Sequence, residues 1–136
     1  MAKIEITGLG ETLISMENIA HIPDSVIREM MESQADVVME AQKRTASTML
    51  QGPYYRGGVV SGIAKGRFKR TGDGAEHHIV FKGTQHGNRI AEIAFINEYG
   101  KKNQPARPFI KTANEQAAGE ATEAAAKILH NWQESQ

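Results

Sequence analysis

Two adjacent histidines, His77 and His78, and a run of cations, Arg56, Lys65, Arg67, Lys69 and Arg70, are the residues whose types could carry chemistry. Paired histidines bind a metal or move protons only where their rings converge. Here they are neighbours in a β-rich stretch, so their side chains point to opposite faces and cannot share one ion. His21, His86 and His130 stand in separate regions, without the H-x-x-x-H or H-E-x-x-H spacing that sets two rings on one helix face. Each is read as solvated or hydrogen-bonded. Gly57, Gly58 and Gly62 precede Lys65 outside the G-x-x-x-x-G-K-S/T frame that cradles phosphates. Ser47 and Ser61 lack the context of a nucleophile elbow. Cysteine is absent, which removes disulfides, thiolate metal sites and thiol nucleophiles. No catalytic constellation emerges and no cofactor is expected. A small hydrolase would need His77 or His86 to meet carboxylates in one pocket.

The cations are interleaved with aromatic side chains. Residues 52–74 hold eight Gly or Pro in 23 positions, which predicts a flexible irregular loop. Long loops in compact domains tend to be functional or mobile. Two uses stay open. Tyr54, Tyr55, Arg56, Arg67, Phe68, Lys69 and Arg70 form a partner-binding surface, or the charges only solvate the loop. Direct contact with a DNA backbone ranks below both. Sixteen basic residues balance sixteen acidic ones, whereas a dedicated nucleic-acid module carries a basic excess. A nucleic-acid-binding protein using the basic loop at 54–70 is therefore the rival reading.

The elements around that loop follow from periodicity. Residues 3–7 alternate polar and apolar, as a strand with Ile4 and Ile6 on one face. Leu9, Leu13, Met16 and Ala20 then fall at helical spacing, which predicts a short helix. Asn18 to Pro23 is a connection. From Asp24, a candidate N-cap, no breaker intervenes until Gly52. Ile27, Met31, Val38, Ala41, Thr45 and Met49 share one stripe there, and Glu29, Glu32, Asp36, Glu40 and Lys43 the opposite side. This predicts an amphipathic helix of about 25 residues. Residues 77–82 read as a strand, 85–88 as a hairpin turn and 89–96 as a second strand. A polar loop at 101–104 leads through Pro105 and Pro108 to a last helix striped by Ile110, Ala113, Ala117, Ala121, Ala124, Ile128 and Trp132.

Length suits a single domain spanning 1–136. No apolar run approaches the roughly 20 residues needed to span a bilayer, and Glu5 interrupts the start, so neither a membrane segment nor a signal peptide is expected. The predicted class is α+β: an antiparallel sheet of three or four strands packed against the long helix and the C-terminal helix.

The segment 94–113, Ala-Phe-Ile-Asn-Glu-Tyr-Gly-Lys-Lys-Asn-Gln-Pro-Ala-Arg-Pro-Phe-Ile-Lys-Thr-Ala, resembles the hallmark of a tail-component family of siphophages and prophages. Glu98, Tyr99 and Gly100 fill its first half, and Pro105, Ala106, Arg107, Pro108, Phe109 and Ala113 its second. The Gly8-Leu9 start, the long helix and Thr71-Gly72 resemble the family in order. The segment between Pro53 and Thr71 departs from it, with a glycine-rich insertion where relatives have a short link. The resemblance implies a head–tail joining, tail-completion or neck subunit that acts in a ring. Its implied partners are other virion neck and tail proteins and copies of itself, with incidental contact to DNA in a lumen and no small-molecule substrate. The implied location is the virion, and the host cytoplasm before assembly.

Two prolines around Ala106-Arg107 fix φ at two points, so the motif should be a stiff bracket between sheet and helix. Phe109 would anchor that corner and Arg107 could pair with Glu98. The preferred reading is that the motif shapes a turn; an intersubunit contact for Arg107 is the alternative.

Overall fold

In the computed structural model, which describes residues 2–8, 10–50 and 58–136, the chain opens with a hairpin. β1 (Ala2–Thr7) pairs antiparallel with β2 (Glu11–Met16), in register from Ala2 opposite Met16 to Thr7 opposite Glu11. The expected helix after Gly8 is thus a strand. Thr12, Ile14 and Met16 are buried while Leu13 and Ser15 face the other way, a period of two that the spacing of Leu13 and Met16 disguised. β-branched Thr12 and Ile14 suit the pleat.

Asn18 to Pro23 is the expected connection, and α1 (Asp24–Met49) follows as predicted. Pro23, not Asp24, takes the N-cap position; Asp24 stands in the first turn, where an acid complements the helix dipole. Ile27, Met30, Met31, Ala35, Val38, Ala41 and Ala46 are buried along one stripe. The helix ends at Leu50, whose N–H donates to the Ala46 carbonyl (2.9 Å), so the breaker at 51–53 lies outside the described residues.

Of the segment 52–74 expected to be an irregular loop, the described residues, from Gly58 on, form regular elements. α2 (Gly58–Gly62) is a single turn, and β3 (Ile63–Thr71) is a nine-residue strand that pairs with β4 (Gly74–Phe81). Glycines at 62 and 66 lowered the apparent strand propensity, but a bulge between Lys65 and Phe68 absorbs the irregularity. The four strands run in the order β1-β2-β4-β3, all antiparallel. Gln85–Asn88 is the predicted hairpin turn, joining β5 (Thr84–Gln85) and β6 (Asn88–Arg89).

The predicted strand at 89–96 is instead α3 (Ile90–Tyr99). Ala91, Glu92 and Ala94 favour helix over strand, and its apolar residues occur all round, which blurred both periods. α4 (Phe109–Glu134) is the expected last helix, burying Phe109, Ile110, Ala113, Ala117, Ala121 and Ala125. The stripe shifts by one residue near its end, since Ala125 is buried and Ala124 only half-buried.

α1 and α4 cover one face of the sheet, where Ile14, Met16, Ala75, His77, Ile79 and Phe81 are buried. Alanines on α4 let the two helix axes approach closely. A buried polar cluster fixes their register: Gln42 Nε2 donates to Thr12 Oγ1 (2.7 Å) and to Asn114 Oδ1 (2.9 Å). It ties β2, α1 and α4 at one level, and misregistry would strand these groups unpaired. The other sheet face is open, carrying Lys3, Glu5, Glu11, Leu13, Arg67, Lys69, Glu76, His78 and Val80.

Candidate functional site

The corner between α3 and α4 is built from the motif residues. The Gly100 N–H donates to the Ile96 carbonyl (2.7 Å) and ends α3. Glycine is required there: its φ is +78°, and a Cβ would lie 2.8 Å from both the Ala106 nitrogen and the Gln104 carbonyl. Lys101 and Gln104 exchange backbone hydrogen bonds of 2.9 Å each, closing a tight turn. The Arg107 N–H donates to the Asn97 carbonyl (2.6 Å), which lashes the returning strap to α3. Pro105 and Ala106 lie exposed on that strap, and Pro108 occupies the N-cap position of α4 without a side-chain cap of its own.

Glu98 supplies the missing cap from across the corner. The Ile110 N–H donates to Glu98 Oε1 (2.7 Å) and the Lys111 N–H to Oε2 (3.1 Å). Both are orphan donors of the first turn of α4, and a carboxylate there also meets the positive end of the dipole. Burial pushes the Glu98 carboxyl above its ordinary range, while the two N–H groups and the Lys111 charge pull the other way. The acid of the motif therefore caps a helix, a role different from the expected pairing with Arg107. Phe109 is fully buried and meets the Phe81 ring edge-on, centroids 6.0 Å apart, as the anchor the sequence predicted. Tyr99 faces outward. It is 52% exposed, the exposed large apolar side chain among the described residues, and its ring lies 4.8 Å from that of Phe95.

The candidate partner-binding residues divide. Tyr54, Tyr55 and Arg56 lie outside the described residues. Phe68 faces the helix layer, edge-on to His77 (6.0 Å) and beneath the Arg28 guanidinium (4.3 Å). Arg70 is bonded to Asp24 (2.7 Å). Lys65 reaches Asp36 (2.8 Å) and Glu32 (3.5 Å), and its hydrogen bond to Asp36 chiefly raises its pKa. Arg67 and Lys69 alone of the described candidates stay exposed. They line a shallow groove of about 360 Å³ on the open sheet face with Glu11, Glu76 and His78. The described candidates are thus divided between two faces, because β3 sends alternate residues to opposite sides.

The two histidines separate as their adjacency predicts. His77 is buried beneath α1, where desolvation lowers its pKa. His78 lies on the open face, its Nδ1 3.8 Å from Glu11. Among the described residues no group of three His, Asp or Glu side chains is placed to hold a metal ion, and no helix is long and apolar enough to cross a membrane. No family model, curated protein or solved structure matches the chain. What the arrangement offers chemically is therefore read from its own surfaces: a rigid corner presenting Phe95 and Tyr99, and an open sheet face of mixed charge.

Sequence reasoning missed the capping role of Glu98. No local signal could have found it, since the partner N–H groups lie twelve and thirteen residues on. It also missed the acids that engage Lys65 and Arg70. Asp24, Glu32 and Asp36 sit on α1, and only the tertiary fold brings them over β3.

Proposed function

We propose that this chain is a virion assembly subunit that joins head to tail, as a tail-completion or neck protein, and works by docking in a ring without a chemical step. The observation that carries the reading is the corner at 94–113. The segment that resembles the phage family is held rigid by Glu98, Gly100 and Phe109, and it displays Tyr99 and Phe95 on its outer side. A rigid aromatic patch is the kind of anchor that interfaces use, because large area is covered at small entropic loss. Neighbouring neck and tail proteins are its partners, in the virion and in the host cytoplasm beforehand.

The rival reading, binding of nucleic acid by the basic segment, draws support from exposed Arg67 and Lys69. Acidic Glu11 and Glu76 share their groove, and Lys65 and Arg70 are occupied by carboxylates. Among the described residues few cations remain for phosphate contacts, so a salt titration of DNA affinity should give a shallow slope. Deleting the gene from the phage or prophage that carries it tests the main reading. Electron microscopy should show filled heads and separate tails, and supplying the protein in trans should restore joined particles. Normal particles from the deletion would overturn it.

A further inference from the structure

The two edges of the four-stranded sheet are finished differently. β3 is bulged between Lys65 and Phe68 and carries Lys65, Arg67 and Lys69. Bulges and rows of cations both discourage pairing with a further strand. β1 has neither device. It runs beside β2 in unbroken register for six residues, and as the terminal strand it leaves its outer N–H and C=O groups without a strand neighbour among the described residues. Ile4 and Ile6 turn half-buried toward the core, and Lys3 and Glu5 point to the open face. Lys3 and Glu5 are 3.8 Å apart on the same strand, 71% and 41% exposed.

We propose that β1 is a self-recognition edge, through which two copies of the chain pair antiparallel about a two-fold axis at Ile4. Directly opposed residues of an antiparallel pair point to the same face. With Ile4 opposite its own copy, Lys3 of each chain faces Glu5 of the other, so two opposite-charge pairs form at once. Sliding the register by two residues sets Lys3 against Lys3 or Glu5 against Glu5 on the axis. Sliding it by one sets charges against isoleucine and flips the apolar face. One register alone satisfies both charge and apolarity, which makes the strand complementary to itself rather than to an arbitrary partner. The two-fold stands perpendicular to the sheet, so the helices of both copies lie on one side and the rows of Ile4 and Ile6 run on across the junction. Joining two four-stranded sheets this way gives a single continuous sheet. A contact of one short strand falls below the roughly 1,200 Å² of a standard interface, so the dimer is weak and concentration-dependent. The inference stands apart from the virion reading, and either can fail without the other.

Sedimentation equilibrium of the full chain tests it. Wild type should dimerise reversibly, more tightly at low salt. Lys3→Glu and Glu5→Lys each oppose like charges at both positions and should lower the association constant about tenfold or more. Mixing the two variants should restore association as a heterodimer, since one supplies two acids where the other supplies two bases. Both side chains are exposed, so melting curves of the single variants should match wild type and exclude misfolding. A wild type that stays monomeric at every concentration, a dimer indifferent to both charge reversals, or a mixture that stays monomeric would each overturn the proposal.

Discussion

The corner at 94–113 and the basic segment at 63–71 both contain the charged and aromatic residues that drew attention in the sequence, yet they are built on opposite physics. In the corner the charge of Glu98 is buried and spent on two backbone N–H groups, and the aromatic Phe109 is packed against Phe81. In the basic segment Lys65 and Arg70 form ion pairs at the surface, each still about a third exposed. Buried polar contacts are expensive to break because the partner stays unsatisfied, whereas surface pairs exchange readily for water. The difference teaches that the buried polar contacts of the corner hold its shape, whereas the surface ion pairs of the segment add little to the stability its strand pairing and Phe68 already supply.

Truncating the anchor should break the contrast most. Phe109→Ala should destabilise by about 3–5 kcal/mol, the range for emptying a fully buried aromatic site, read from urea unfolding midpoints. Glu98→Ala should follow, at about 1–3 kcal/mol, because Ile110 and Lys111 lose their acceptor inside a buried corner. Glu98→Gln keeps one acceptor and should lose less.

Two buried titrating groups should separate the regions by pH. The Glu98 carboxyl is raised above its ordinary 4.5, so its contribution to stability is full below pH 4.5 and declines as pH rises through the raised value. The His77 imidazole, packed against Phe68 of the basic segment, is lowered below 6.5. Its contribution is full above pH 6.5 and is lost as pH falls toward the lowered value. Thermal melts across pH should show Glu98→Gln flattening the change just above pH 4.5, and His77→Gln flattening the change just below 6.5. Identical profiles for both variants and wild type would contradict this placement.

The smallest effect belongs to the surface. Arg70→Ala should shift stability by no more than about 1 kcal/mol, and added salt should shrink the difference further.

Long elements with a clear apolar period were legible in the sequence. α1 and α4 stand where their stripes place them, and β1 and β4 follow their alternation and β-rich composition. Phe109 as an anchor was legible too, because prolines on both sides of Arg107 leave the chain little freedom. The failures share a cause, a local pattern that serves two periods or none. In β2, Leu13 and Met16 mimic helical spacing; in α3, apolar residues on every side mimic a covered strand. In β3, glycines and cations resemble a loop until the strand is paired to β4 and capped by acids of α1. Such assignments are decided by tertiary partners, which lie tens of residues away. The same distance hid Glu98 as a cap and the exposure of Tyr99.

The outer side of the corner is where the account can be tested most directly. Tyr99→Ala removes an exposed ring without touching Glu98, Gly100 or Phe109, so the variant should fold with a melting temperature close to wild type. Supplied in trans to the deletion phage, it should leave heads and tails unjoined in electron micrographs. Joined particles at wild-type yield from Tyr99→Ala would contradict the corner as the docking surface.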